Sequence, residues 1–149
     1  MTNPSPDEFL QVILRAKESM DWNGVTDLIP YFGYLGMKVQ AQGDEILCSL
    51  PENGKFTGNP TLPAIHGGVV GAFLESTALV HLLATQEITK VPKIITFTVD
   101  YLRSAKVADC FAVAEITKPG RRVANMRIHA WQQNRNKPIA TANANFLVS

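Results

Sequence analysis

The chain has 149 residues, of which 46% are hydrophobic and 18% are charged, and its formal net charge is +1. Such a length and composition exclude a disordered chain and give enough apolar residues for the core of one domain. A near-neutral charge offers no field that would attract nucleic acid or an anionic membrane. The two cysteines, Cys48 and Cys110, have neither disulfide-framework nor metal-ligand spacing. We therefore expect one domain, residues 1–149, with no metal, nucleic-acid or membrane partner.

Residues 1–33 are predicted to form a helical extension at the N-terminus. Ser5-x-x-Glu8 is a capping box and Pro6 suits the first helical position, while four apolar residues follow at helical spacing: Phe9, Ile13, Ala16 and Met20. Residues 22–34 are broken by glycine and proline, which predicts turns and at most one short helix. The first residues lack the basic and apolar regions of a signal peptide, so we expect a cytoplasmic protein.

Six segments have the composition and alternation of strands, and one long apolar segment interrupts them. Strands are predicted at 36–42, 45–50, 93–103, 109–117, 121–133 and 138–149, with a turn at Gly43-Asp44 and a loop at 51–63. The last four are predicted to form a meander. In the first of them, alternation places Ile95, Phe97, Val99 and Tyr101 on one face. This order favours an α+β fold in which one antiparallel sheet wraps around one helix.

The apolar segment runs from Pro63 to Ala84 and is predicted to be a helix that begins near Gly67. It is apolar enough to resemble a membrane span, and it contains the pattern Gly67-x-x-x-Gly71, which is typical of helices that pair in lipid. A carboxylate in its middle, Glu75, would cost several kcal/mol in lipid. The segment is therefore interpreted as the buried core helix, against which the small residues Ala140, Ala142 and Ala144 of the last strand can pack closely.

The start of this helix is a candidate site for binding a developing negative charge. The first N–H groups of a helix have no partner within it, and the helix dipole makes this end positive. Gly67 and Gly68 would allow a ligand to approach the backbone, as an oxyanion hole requires. Two glycines can equally form a tight joint between a loop and a helix, and the pair of glycines taken alone favours that interpretation.

Glu75 is the only acidic residue between positions 53 and 86. A buried carboxylate needs a partner or a catalytic role. The structural alternative is an ion pair with Arg103 or Arg127, or a hydrogen bond with Thr96. Asp100 can similarly pair with Arg103 or line a site.

The spacing along the helix bears on how Glu75 could work together with the helix start. Glu75 follows His66 by nine residues, which is two and a half helical turns, so the two residues lie on opposite sides of the helix. Along the helix axis, Glu75 lies about 10 Å from Gly68. One helix therefore cannot easily direct both the first N–H groups and Glu75 at one carbonyl. Two antiparallel copies related by a two-fold axis can do so, which predicts a homodimer.

The sequence resembles the acyl-CoA thioesterases of the hotdog fold, and in particular the phenylacetyl-CoA type with its His-Gly-Gly motif. The resemblance rests on His66-Gly67-Gly68, on Glu75 and on the last four strand segments, and it runs from about Tyr34 to Ser149. It implies a six-stranded antiparallel sheet around the central helix, with sites at the interface of a homodimer that is usually part of a homotetramer. No cofactor is implied, because coenzyme A is part of the substrate.

The resemblance also implies roles for individual residues. The backbone N–H of Gly68 would polarise the thioester carbonyl, Glu75 would activate water or attack, and His66 would position the helix start. An auxiliary polar residue of the family lies near Asn59, one position from where it is expected. Coenzyme A would lie against Gly67, and its phosphates would be held by three basic residues of one hairpin: Lys118, Arg121 and Arg122. Such a cluster can also be a solvated turn.

Two other functions remain open at this stage. Hotdog dehydratases carry a catalytic histidine in the loop before the helix, and Lys55 stands in its place in Lys55-Phe56-Thr57-Gly58-Asn59-Pro60, which disfavours a hydratase or dehydratase. A non-catalytic acyl-CoA binding module is the second alternative. The apolar residues around the site are compatible with both aryl and medium-chain acyl groups.

Overall fold

A computed structural model describes residues 3–149. Within this range the chain forms four α-helices, one short 3-10 helix and eight β-strands. In chain order they are α1 (Pro6–Ser19), α2 (Asn23–Leu28), α3 (Pro30–Leu35), β1 (Lys38–Gln42), β2 (Glu45–Leu50), the 3-10 helix (Gly54–Phe56), β3 (Thr57–Asn59), β4 (Ala64–Ile65), α4 (Gly67–Thr85), β5 (Lys93–Tyr101), β6 (Cys110–Lys118), β7 (Val123–Trp131) and β8 (Ala140–Leu147). Residues 1 and 2 of the predicted N-terminal extension lie outside the described range.

Six strands form one antiparallel sheet in the order β1-β2-β6-β7-β8-β5. The predicted α+β hotdog fold, with a six-stranded sheet around one long helix, is confirmed. The prediction of a four-stranded meander is wrong, because only β6, β7 and β8 follow one another in the sheet. Strand β5 pairs with β8 and lies at the edge, and residues 102–109 return the chain to the middle of the sheet, where β6 pairs with β2.

The concave face of the sheet packs against α4 through small and apolar side chains. On β8 the alternate residues Ala140, Ala142 and Ala144 are buried, as is Phe146, while the residues between them are more exposed. Alternate residues of β7 are buried in the same way: Ala124, Met126, Ile128 and Ala130. Alanine side chains let the helix approach the sheet closely, and the alternation predicted for these two strands is confirmed.

Strand β5 departs from the predicted alternation because it contains a β-bulge. Ile94 pairs with Phe146, and Thr96 pairs with the adjacent Asn145, so Ile95 has no partner in the ladder. An extra residue reverses the direction of the side chains on one side of it. The bulge brings Ile94 onto the same face as Phe97 and leaves Ile95 53% exposed. The prediction that Ile95 shares one face with Phe97 was therefore wrong.

The N-terminal extension contains more helix than the sequence predicted. The capping box of α1 is present, with Glu8 N–H bonded to the Ser5 hydroxyl and the Ser5 N–H bonded to the Glu8 carboxylate. Met20 does not join the buried face of α1, because it ends the helix in a left-handed conformation and is exposed. Residues 22–34 form two short helices instead of at most one, and the predicted loop 51–63 contains the 3-10 helix and β3.

Helix α4 is long and apolar enough to cross a bilayer by length and composition, with a mean hydropathy of 1.5. More than half of it is buried inside the fold, and the sheet packs against it. A core helix meets the same criterion of length and apolarity.

Candidate active site

The start of α4 is capped by the side chain of His66. The Gly68 N–H donates to His66 Nδ1 at 2.8 Å. Because Nδ1 accepts this bond, the neutral ring carries its proton on Nε2. The N–H that was predicted to bind an oxyanion therefore has a partner, and a substrate oxygen would have to take the place of the imidazole.

The backbone of His66 is fixed by the short β3–β4 hairpin. Its N–H donates to the carbonyl oxygen of Phe56 at 2.8 Å, and the N–H of Ile65 donates to Ala105 at 2.8 Å. Gly58 lies directly against it, since a Cβ at position 58 would be 2.5 Å from His66 Cα. The absence of a side chain at Gly58 thus lets the hairpin hold the start of the helix in place.

Tyr101, at the end of β5, lies on the first turns of α4. Its hydroxyl donates to the carbonyl oxygen of Gly67 at 2.7 Å. A Cβ on either Gly67 or Gly71 would lie 3.4 Å from the Tyr101 hydroxyl oxygen. The pattern Gly67-x-x-x-Gly71 therefore forms a flat surface on α4 against which the Tyr101 ring packs. Alternation in the sequence placed Tyr101 on the same face of its strand as Phe97 and Val99 but did not assign it to the site.

Glu75 lies on the one face of α4 that the rest of the chain leaves partly open. It follows Gly68 by seven residues, which is 20° short of two full turns, so both residues lie on the same side of the helix. Ala72 and Leu79 share this open stripe, and all are less buried than the residues that face the sheet. Partial burial raises the pKa of the Glu75 carboxyl above its ordinary value. A carboxylate whose pKa is raised in this way is a stronger base than one in water.

Two of the alternative partners proposed for Glu75 form hydrogen bonds with other residues. Arg103 Nη1 donates to the carbonyl oxygen of Pro138 at 2.7 Å, and the Thr96 hydroxyl accepts from Asn145 Nδ2 at 2.6 Å. Arg127 faces Glu115 in the β6–β7 ladder. Within residues 3–149 the single salt bridge joins two other residues, Arg135 and Glu45. The ion-pair interpretation of Glu75 is therefore wrong within one subunit, as is the suggested pairing of Asp100 with Arg103.

A cavity of about 300 Å³ opens beside the start of α4. Its walls include Gly67 and Val70 of the helix, Tyr101 and Arg103 at the end of β5, and Ile139 before β8. It therefore offers a partly apolar space next to the first peptide groups of the helix.

Asn59 organises the loop that precedes the helix. Its side-chain oxygen accepts from the Thr61 hydroxyl at 2.7 Å and from the backbone N–H groups of Thr61 at 3.1 Å and Leu62 at 3.3 Å. The structure thus places it in the hairpin that supports His66, with its oxygen occupied by the turn.

The basic hairpin lies at the opposite end of α4. Lys118 is exposed at the end of β6, and Arg122 is exposed in the turn that follows. Arg121 lines a second cavity, of about 400 Å³, together with residues Gln86 and Glu87, which follow the helix. The 19 residues of α4 separate its two ends by about 27 Å. One subunit does not bring this hairpin together with the predicted oxyanion site.

The other residues with reactive or ionisable side chains lie in the core or at its edge. Burial raises the pKa of the Cys48 thiol to about 12, and Cys48 is a fully buried residue of the core. His81 is half-buried in α4, and burial lowers its pKa. The ammonium of Lys55, which stands at the position of the dehydratase histidine, lies over the Tyr34 ring, 4.5 Å from its centre.

Comparison with known proteins identifies the family. Residues 58–147 match the family model described as the acyl-CoA thioesterase N-terminal domain, and this is well over half of the 149 residues. No curated protein matches the chain. A solved protein from Chromobacterium violaceum is 36% identical over 93% of this chain and 97% of that one, with a TM-score of 0.77.

Two more distant structures share the fold. One is a phenylacetic acid degradation-related protein from Ralstonia eutropha, with 24% identity over 80% of this chain and 89% of that one and a TM-score of 0.71. The other is a thioesterase from Staphylococcus aureus, with 19% identity over 80% of this chain and 98% of that one and a TM-score of 0.70. With the sheet, the central helix and the matched residues in agreement, the chain belongs to the acyl-CoA thioesterase family represented by that N-terminal domain model.

Proposed function

We propose that the protein hydrolyses acyl-CoA thioesters to the free acid and coenzyme A. The observation that carries the proposal is Glu75, a carboxylate of raised pKa on the open stripe of α4, with no ion-pair partner within residues 3–149. Membership of the thioesterase family supports hydrolysis in general. The assignment of the substrate as an acyl-CoA and the roles of the residues are the proposed part.

In the proposed reaction, the thioester carbonyl oxygen accepts from the Gly68 N–H in place of His66 Nδ1. Glu75 removes a proton from a water molecule while the water oxygen attacks the carbonyl carbon. The negative charge of the tetrahedral intermediate is held at the positive end of α4. When the C–S bond breaks, the protonated Glu75 returns the proton to the leaving thiolate of coenzyme A.

Two subunits are needed because Gly68 and Glu75 lie about 10 Å apart along one helix. Edge strand β5 suggests how they would assemble, since its nine residues have one side of the ladder unpaired. Long edge strands with exposed apolar residues are templates for pairing with another chain. Pairing of β5 with its copy across a two-fold axis would continue the sheet and set the open stripes of the two α4 helices against each other.

The same arrangement accounts for the position of the basic hairpin. In an antiparallel pair, the end of one α4 lies near the start of the other. Lys118, Arg121 and Arg122 of one subunit would then lie on the side of the partner's helix start, where guanidinium groups could hold the phosphates of coenzyme A. Asn59 would contribute through the loop that supports His66.

The test of the proposed base is Glu75→Gln, measured against a panel of acyl-CoAs by following the release of thiol. We expect kcat to fall by about two to four orders of magnitude, the range for general acid–base groups. KM should barely change, since the amide keeps the volume of the side chain, and the melting temperature should stay the same or rise, since a desolvated charge has been removed. Glu18→Gln, on an exposed face of α1, is the matched control. A folded Glu75→Gln protein with wild-type rates would refute the mechanism.

A shared site can be tested separately by mixing two inactive variants. Gly68→Pro removes the N–H donor in the first turn of the helix, which tolerates proline, and its Cβ would lie 2.9 Å from Nδ1 of the His66 ring. Co-expression with Glu75→Gln gives heterodimers in which one site carries both changes and the other carries neither. With random pairing, about one quarter of the wild-type activity should return. A mixture as inactive as each parent would show that the two residues act within one subunit.

A further inference from the structure

The peptide group between Gly67 and Gly68 is contacted at both of its polar ends. At one end, the Tyr101 hydroxyl donates to the Gly67 carbonyl oxygen at 2.7 Å. At the other end, the Gly68 N–H donates to His66 Nδ1 at 2.8 Å. Tyr101, the peptide group and His66 therefore form one continuous chain of hydrogen bonds across the start of α4.

Such a chain strengthens each of its bonds. A donor placed on the carbonyl oxygen of an amide draws electron density from the nitrogen, so that the N–H of the same amide becomes a better donor. A backbone carbonyl oxygen has two lone pairs and can accept from Tyr101 as well as from a helical N–H. The Tyr101 hydroxyl thus increases the positive charge at the hydrogen of Gly68.

The position of the hydroxyl is set by the packing of the ring. Both Gly67 and Gly71 face it, and a Cβ on either would lie 3.4 Å from its oxygen. Tyr101 ends β5, and the next residue is held by the bond from the Leu102 N–H to the Ile139 carbonyl oxygen at 2.8 Å. The hydroxyl is therefore held by the sheet on one side and by the bare surface of the helix on the other.

We propose that Tyr101 is a positioning residue that orients and polarises the Gly67–Gly68 peptide group, so that the Gly68 N–H can stabilise a developing oxyanion. The inference rests on the proposed function of Gly68 in thioester hydrolysis. In the structure the polarised N–H is capped by His66. When the substrate oxygen replaces the imidazole, the bond from Tyr101 remains and strengthens as negative charge develops on that oxygen.

Tyr101→Phe tests the proposal because it keeps the ring and removes only the hydroxyl. We expect kcat for acyl-CoA hydrolysis to fall about three- to tenfold, in line with the loss of one hydrogen bond, while KM changes by less than about twofold. Tyr31→Phe is the matched control, since Tyr31 is also a half-exposed tyrosine, and its ring stacks on Tyr34 and not on Gly67 or Gly71.

A second variant separates polarisation from packing. Site-specific replacement of Tyr101 by fluorinated tyrosines gives hydroxyls of increasing acidity on nearly the same ring. At a pH at which these hydroxyls remain protonated, kcat should rise with the donor strength. In NMR spectra of the substrate-free protein, the Gly68 amide proton and the Gly67 carbonyl carbon should shift downfield along the series and upfield in Tyr101→Phe.

An unchanged, wild-type kcat in a folded Tyr101→Phe protein would overturn the proposal. If KM also rose while kcat stayed unchanged, Tyr101 would only line the cavity. The proposal would also be overturned if kcat and the NMR shifts did not follow the donor strength of the hydroxyl along the fluorotyrosine series. These failures differ from failure of the proposed function, in which the wild-type protein hydrolyses no acyl-CoA or Glu75→Gln retains full activity.

Discussion

Gly58→Ala should disturb catalysis through its effect on the position of His66. The new Cβ would lie 2.5 Å from His66 Cα and 2.7 Å from His66 Cβ. Carbon atoms pack at about 3.5–4 Å, so the two segments must separate by about 1 Å. Neither can yield freely, because the His66 N–H is bonded to Phe56 and the Ile65 N–H is bonded to Ala105.

The size of the effect follows from that displacement. Extra atoms forced into a packed site cost about 1–3 kcal/mol of unfolding free energy, which for a chain of this size lowers the melting temperature by about 2–12 °C. A misplacement of about 1 Å at a reacting centre can reduce the rate about 100-fold. We therefore expect kcat to fall by about this factor, since His66 and the Gly68 N–H move with the start of the helix.

The assay combines thiol release from the best acyl-CoA with thermal unfolding followed by fluorescence. Gly54→Ala is the matched control, because it changes the same residue type in the same loop and its Cβ would meet nothing within 4 Å. It should leave both kcat and the melting temperature close to wild type. If Gly58→Ala behaves like Gly54→Ala, the β3–β4 hairpin does not hold the start of α4 as described.

Two further predictions concern pH and the basic hairpin. Burial raises the pKa of Glu75 above its ordinary value of 4.5, so the folded protein binds this proton more tightly than the unfolded chain does. The unfolding free energy should therefore fall as pH rises from 4.5 through the raised pKa. Urea titrations of Glu75→Gln at several pH values should not show this fall in unfolding free energy. The wild-type kcat/KM should rise over the same pH range because the carboxylate is the active form. An identical pH dependence of stability in the two proteins would contradict the raised pKa. Replacing both Arg121 and Arg122 with Ala should raise KM for an acyl-CoA about tenfold, as for the loss of one good ionic contact, with added salt reproducing part of the effect in the wild type. KM for the same acyl group on a short thiol without phosphates should not change, and an unaltered KM for the acyl-CoA would make the hairpin an exposed turn only.

The sequence by itself determined the features that depend on local patterns. Alternation with a period of two residues marked β7 and β8, and an uninterrupted apolar run marked α4. The capping box of α1 was readable because its two residues are three positions apart and bond to each other's backbone. Glu75 stood out because a charge within an apolar run is costly without a partner or a role.

Only the tertiary structure decided which distant segments meet. The pairing of β5 with β8, rather than with β6, and the bulge at Ile95 depend on which edge of the sheet the strand reaches, and the sequence of β5 alone does not encode that edge. The bond of Tyr101 to Gly67 spans 34 residues, and the contact of Gly58 with His66 depends on the hairpin that brings them together. Local periodicity fixes the direction of a side chain relative to its own element, whereas the partner of that side chain is fixed by the packing of elements that are far apart in the chain.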